Sequence, residues 1–169
     1  MEIVIILGLI FLNGILSMSE IAMVSARKSR LETAAKKGSK TAKTALRLAN
    51  EPDRFLSTIQ IGITLIGILT GLYSGEALAG DLARWLETIG IPQAHSLTLA
   101  KGIIVILVTY LTLILGELVP KHLGMNAPEK IARLIARPME VLSKIASPFV
   151  WLLSASTQAV IRLTGLHAS

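Results

Sequence analysis

Gly116-Glu117-Leu118-Val119-Pro120-Lys121-His122 closes an apolar run that begins at Gly102, and the reading of these seven residues decides the fold. The run is long enough to cross the hydrocarbon core of a bilayer, which takes about 20 apolar residues. Pro120 carries no N–H, so the carbonyl of Gly116, its i−4 partner, stays unbonded if the helix continues. Glycine at that carbonyl permits local unwinding. A carboxylate, Glu117, stands directly beside it. An ionisable group at membrane depth is costly and marks function by default. A freed carbonyl next to a carboxylate is how interrupted transporter helices hold cations. The plainer alternative is a proline kink with Glu117 paired to Lys121 one turn on.

Two further runs lie upstream. Ile3 to about Ser25 and Phe55 to Tyr73 are predominantly apolar, so the predicted spans are about 3–25, 55–74 and 102–120. The first is no signal peptide: Glu2 replaces the expected Lys or Arg, and no small-residue cleavage site follows. Composition agrees. Hydrophobic residues make up 52% of the 169 residues and charged ones only 17%, against about 45–50% and about 25% in soluble domains.

Charge sets the orientation. Basic residues crowd between the first two runs, from Arg27, Lys28 and Arg30 through Lys36, Lys37, Lys40, Lys43 and Arg47 to Arg54. The loop after the second run holds Glu76, Asp81, Arg84, Glu87 and His95, with no positive excess. The positive-inside rule then puts segment 27–54 in the cytoplasm and the amino terminus outside. The net charge of +6 is thus explained by topology. With only 4% aromatic residues, base stacking has little to work with and no nucleic-acid partner is expected. Segment 27–54 reads as helical, interrupted near Gly38 and closed by Asn50-Glu51-Pro52.

Downstream, Asn126 and Glu129 form a capping pair with Pro128 in the first turn. Ile131, Leu134, Ile135, Leu142 and Ile145 share one face, opposite Lys130, Arg133, Arg137 and Lys144, with a bend at Pro138. Such a helix lies along the cytoplasmic surface. Phe149 to Leu163 is apolar but broken by Ser154, Ser156, Thr157, Gln158 and Arg162, and reads as a shallow or bundle-packed segment, short for a fourth crossing. The expected fold is a single all-α membrane domain over 1–169. It has three transmembrane helices, a cytoplasmic helical loop at 27–54 and a juxtamembrane amphipathic belt at 126–165.

Polar residues inside the spans supply the candidate chemistry. Asn13, Ser17 and Glu20 fall at i, i+4 and i+7 on one stripe, with Ser19 on its flank. Gln60, Thr64, Gly67 and Gly71 form a second stripe grading into small residues. The plain readings are interhelical hydrogen bonding for Asn and Ser, and close packing for Gly67 and Gly71. Hard oxygen donors of this kind suit Mg²⁺ or Na⁺. The absence of cysteine excludes disulfides, thiolate catalysis and cysteine-ligated zinc. No nucleophile–base pair stands out, so an enzyme is not expected.

Three segments in order resemble the CorC/CNNM family of magnesium transporters, often labelled hemolysin-like. They are Asn13-Gly14-Ile15-Leu16-Ser17-Met18-Ser19-Glu20-Ile21-Ala22, then Thr58-Ile59-Gln60-Ile61-Gly62-Ile63-Thr64-Leu65, then Gly116-Glu117-Leu118-Val119-Pro120-Lys121. The resemblance covers essentially the whole chain, at that family's transmembrane domain. It implies a homodimer in the inner (plasma) membrane, with one Mg²⁺ site per protomer and export coupled to Na⁺ entry. The site would draw on Asn13, Ser17, Ser19 and Glu20 of the first helix, Thr64 and Gly67 of the second, and Gly116 and Glu117 of the third. Many members have asparagines where this chain has Thr64 and Gly67, so either Thr64 stands in as a neutral oxygen ligand or the site is a weaker one. Members usually continue into cytosolic paired CBS domains that bind ATP, which implies a fragment of a longer protein here. The competing class is a non-transporting membrane module, an ion sensor or scaffold for such domains.

Overall fold

In the computed structural model, which describes residues 2–165, the chain is helical nearly throughout. The elements are α1 (Glu2–Ser25), α2 (Lys28–Lys36), α3 (Lys40–Asn50), α4 (Pro52–Tyr73), α5 (Ala79–Thr88), α6 (Gln93–Leu113), α7 (Val119–Asn126) and α8 (Pro128–Leu163). A π-helical turn, Ser74–Leu78, joins α4 to α5, and another, Ile114–Leu118, joins α6 to α7. Helix α6, its π turn and α7 form one 34-residue rod, Gln93–Asn126. With α1 and α4 it makes three helices long and apolar enough to cross a membrane. At 1.5 Å per residue even the shortest, α4, spans about 33 Å.

Local sequence explains the breaks. Gly38 separates α2 from α3 with φ +99°, a left-handed conformation that glycine adopts without steric cost. Ser39 then caps α3, its Oγ accepting from the Ala42 N–H at 3.2 Å. Pro52 starts α4, where its missing N–H costs nothing.

The rods pack through glycine. A Cβ on Gly124 would meet the Ile21 side chain and lie 2.9 Å from the Met18 carbonyl oxygen. One on Gly14 would lie 2.9 Å from the Leu115 carbonyl and 3.0 Å from Pro120 Cγ. Contacts along α1 therefore climb with contacts along the third rod, so the two run parallel. Parallel first and third rods require a return crossing between them, which α4 supplies. It packs along α1, and a Cβ on Gly62 would strike Leu16 Cδ1 at 2.8 Å. Without a hydrophobic drive between helices in lipid, such close approach is what holds them together.

At the opposite end from the amino terminus, a second core forms. Met23 of α1, Leu31 of α2, Ala45 and Leu48 of α3, and Phe55 and Ile59 of α4 bury against Ala132, Ile135, Ala136 and Met139 of α8. Arg30–Glu129 at 3.5 Å and Arg47–Glu140 at 3.2 Å pin α8 to α2 and α3. Ser143 Oγ reaches Thr58 Oγ1 on α4 at 3.4 Å.

Four expectations need revision. The loop at 76–95 contains helix α5, which buries Ala79, Ala83 and Leu86 at i, i+4 and i+7. The third rod starts at Gln93 rather than near 102 and runs through Pro120 without breaking. Asn126 ends α7 and is no cap; Ala127 holds the N-cap position, and Glu129 instead faces Arg27 and Arg30. Finally, α8 continues through Pro138 and Pro148 as one helix. The carbonyls those prolines leave without their usual N–H donor belong to Leu134 and Lys144, both exposed residues. Residues 151–163 extend past the bundle with every side chain exposed, so this segment is not packed on the protomer.

Candidate cation site

The site begins with the missing N–H of Pro120. An uninterrupted α-helix would direct that N–H to the Gly116 carbonyl. Instead the helix widens at Ile114–Leu118, where the Val119 N–H bonds to the Ile114 carbonyl, five residues back. Single π turns of this kind are frequent at functional sites. The liberated Gly116 carbonyl accepts a hydrogen bond from Asn13 Nδ2 of α1 at 3.1 Å, buried between the rods. A carbonyl can only accept, so the amide must present its nitrogen here and keeps Oδ1 as a further acceptor. Glycine is needed for this contact: a Cβ at 116 would sit 3.0 Å from Asn13 Nδ2.

The other candidate oxygens differ in burial and pairing. Ser17, one turn below Asn13 on α1, is only 3% exposed. Glu117 lies within the π turn, partly buried. Among the described residues it forms no ion pair within 4 Å, so the pairing with Lys121 is not made. Glu20 is likewise partly buried and without an ion pair among them. Ser19 is fully buried, and its hydroxyl donates to the Ile15 carbonyl of its own helix at 2.7 Å.

The α4 residues stand apart. Thr64 is exposed, its hydroxyl 3.4 Å from Gln60 Nε2, and Gly67 is exposed with nothing within 4 Å of an added Cβ. Gly71 and Gly75 are equally open. Close packing within the protomer therefore does not explain Gly67, Gly71 or Gly75; that task falls to Gly14, Gly62 and Gly124. The structure thus joins Asn13 to Gly116 and leaves Thr64 and Gly67 on an outward face. Among the described residues no group of three His, Cys, Asp or Glu side chains converges. A cation bound here would rest on carbonyl, amide and hydroxyl oxygens with one carboxylate.

The sequence assigns Asn13 and Gly116 to one implied site without indicating a direct bond between them. Their common signal was that each is a polar or freed group deep in an apolar run.

Comparison with known proteins follows this geometry. The family model described as the cyclin M transmembrane N-terminal domain matches residues 4–169. A UPF0053 protein of Synechocystis sp. is 48% identical over 98% of this chain and 37% of its own length. A UPF0053 protein of Bacillus subtilis is 32% identical over 94% of this chain and 34% of its own. The polyamine export protein of Escherichia coli K12 is 30% identical over 96% of this chain and 36% of its own. The chain thus spans little more than a third of the length of these relatives.

Proposed function

Because the chain belongs to the cyclin M transmembrane N-terminal domain family, we propose that it is the membrane domain of a Mg²⁺ exporter. The carrying observation is the Gly116 carbonyl, released by Pro120 and met by Asn13 beside Glu117. Glu117 supplies the anionic ligand, Gly116 a carbonyl, and Asn13 and Ser17 neutral oxygens. A site with a single carboxylate holds a strongly hydrated ion weakly, as transport requires. Na⁺ entering in exchange is the coupling reaction that the family resemblance suggests.

Thr64 and Gly67 face outward from the protomer, so they reach a cation only across a subunit contact. The open glycine face of α4 at Gly67 and Gly71 suits a second copy of the chain, since small residues let transmembrane helices approach closely. In the cell the basic segment 27–54 lies inside and the amino terminus outside. Regulatory domains of the CBS type belong to the longer protein.

The polyamine export protein makes an organic polycation the competing cargo. A chain of ammonium groups needs several carboxylates spaced along it, whereas the released Gly116 carbonyl stands beside one carboxylate, Glu117. Mg²⁺ fits the single carboxylate better. Flux from liposomes holding the purified domain tests this: Mg²⁺ efflux driven by an inward Na⁺ gradient is expected. Polyamine flux without Mg²⁺ flux would replace the cargo, and no flux at all would favour a scaffold.

A further inference from the structure

A second polar feature lies away from the cation site, where α3, α4 and α8 meet. A cavity of about 320 Å³ there is lined by Arg47, Glu51, Arg54, Glu140 and Lys144, floored by Phe55 and Ser143. Arg47 and Glu140 also border a neighbouring hollow that bears Lys40, Lys43 and Arg137. Arg54 likewise borders a hollow that reaches Asp53 and Trp151. Six cationic side chains and three carboxylates thus line three adjoining hollows, called here the trough.

The pairing within it is incomplete. Glu140 serves both Arg47, at 3.2 Å, and Lys144, at 3.9 Å. Arg54 reaches Glu51 only at 3.9 Å and the Ser143 carbonyl at 3.5 Å. Its Nε is buried with no acceptor among the described residues. The rest of the Arg54 side chain is open, 42% exposed, and a guanidinium fork is shaped to receive two oxygens of one anion.

Position identifies the anion's source. Arg54 is the third residue of α4, whose following residues are apolar and cross the membrane. The trough therefore sits where headgroups end and hydrocarbon begins, on whichever side this end of the bundle faces. Trp151, 71% exposed on α8, is the residue type that settles at that level. Basic pockets between helices at this depth bind anionic headgroups. We infer that this trough is a binding site for the headgroup phosphate of an anionic phospholipid, held by Arg54 and Lys144. A lipid seated there would bridge α3, α4 and α8 and so brace the juxtamembrane core against the membrane helices.

Thermal unfolding of the purified chain in neutral detergent tests the site. Added phosphatidylglycerol is expected to raise the melting temperature, as a ligand selective for the native state must. Phosphatidylcholine or inorganic phosphate should not. Arg54→Gln should lose most of that rise. So should Lys43→Gln/Lys144→Gln, whose side chains are exposed and leave folding intact. Lys36→Gln/Lys37→Gln, with the same charge change outside the trough, should keep it. Equal loss in the Lys36→Gln/Lys37→Gln variant, or full retention in both trough variants, would overturn the site. A rise reproduced by inorganic phosphate alone would overturn the lipid as its ligand.

Discussion

Asn13 Nδ2 donates to the Gly116 carbonyl at 3.1 Å across 103 residues of sequence, tying the first membrane rod to the third where Pro120 has released that carbonyl. Replacing Asn13 with Ala strands the carbonyl in a buried place without a donor. Interhelical bonds in membranes are worth about 1 kcal/mol, and an unmatched buried group raises the loss to about 1–3 kcal/mol. Asn13→Ala should therefore be measurably less stable to denaturant in detergent, with the three-span topology unchanged. An Asn13→Ala protein as stable as wild type would mean that the bond is not formed in the membrane domain.

Gly124→Ala should cost about 1–3 kcal/mol, the usual penalty of overpacking. Its new methyl meets Ile21 and the Met18 carbonyl, and a backbone oxygen cannot swing aside. Gly67→Ala, on an open face, should leave monomer stability unchanged or slightly raised, since Ala is the better helix former. Paired unfolding measurements on the two variants check this. The result also bears on assembly. If α4 forms the subunit contact, Gly67→Leu should dissociate the dimer by light scattering while leaving helicity intact.

The three spans were legible because hydropathy acts over twenty residues at a time, and Gly38 and Pro52 mark breaks that any helix must respect. Helix α5 is harder to read because Asp81, Arg84 and Glu87 interrupt a short apolar stripe, Ala79, Ala83 and Leu86, that carries the helical spacing. The proposed cap at Asn126 failed for a tertiary reason: Glu129 is drawn to Arg30 on another helix. At the candidate site, Pro120 alone pointed to a released Gly116 carbonyl. The partner that takes it up, Asn13, depends on the register of two rods packed on Gly14 and Gly124. No local rule links residues so far apart.

Orientation is open to direct labelling. With segment 27–54 inside, a cysteine placed at Gln93 should react with an impermeant reagent from outside, and one at Lys40 should react only after permeabilisation. The chain has no native cysteine to confuse the result. The reverse pattern would invert the topology, although the parallel packing of the first and third rods would stand either way.

The role of Glu117 is tested most directly by the Mg²⁺ dependence of thermal unfolding in purified wild type and Glu117→Gln. The substitution keeps size and hydrogen-bonding capacity while removing the charge. Since Glu117 has no ion-pair partner among the described residues, no cation is stranded and folding should survive. Mg²⁺ should raise the wild-type melting temperature, less so in Ser17→Ala and not at all in Glu117→Gln. A Glu117→Gln protein that keeps the full Mg²⁺-dependent rise would contradict the site.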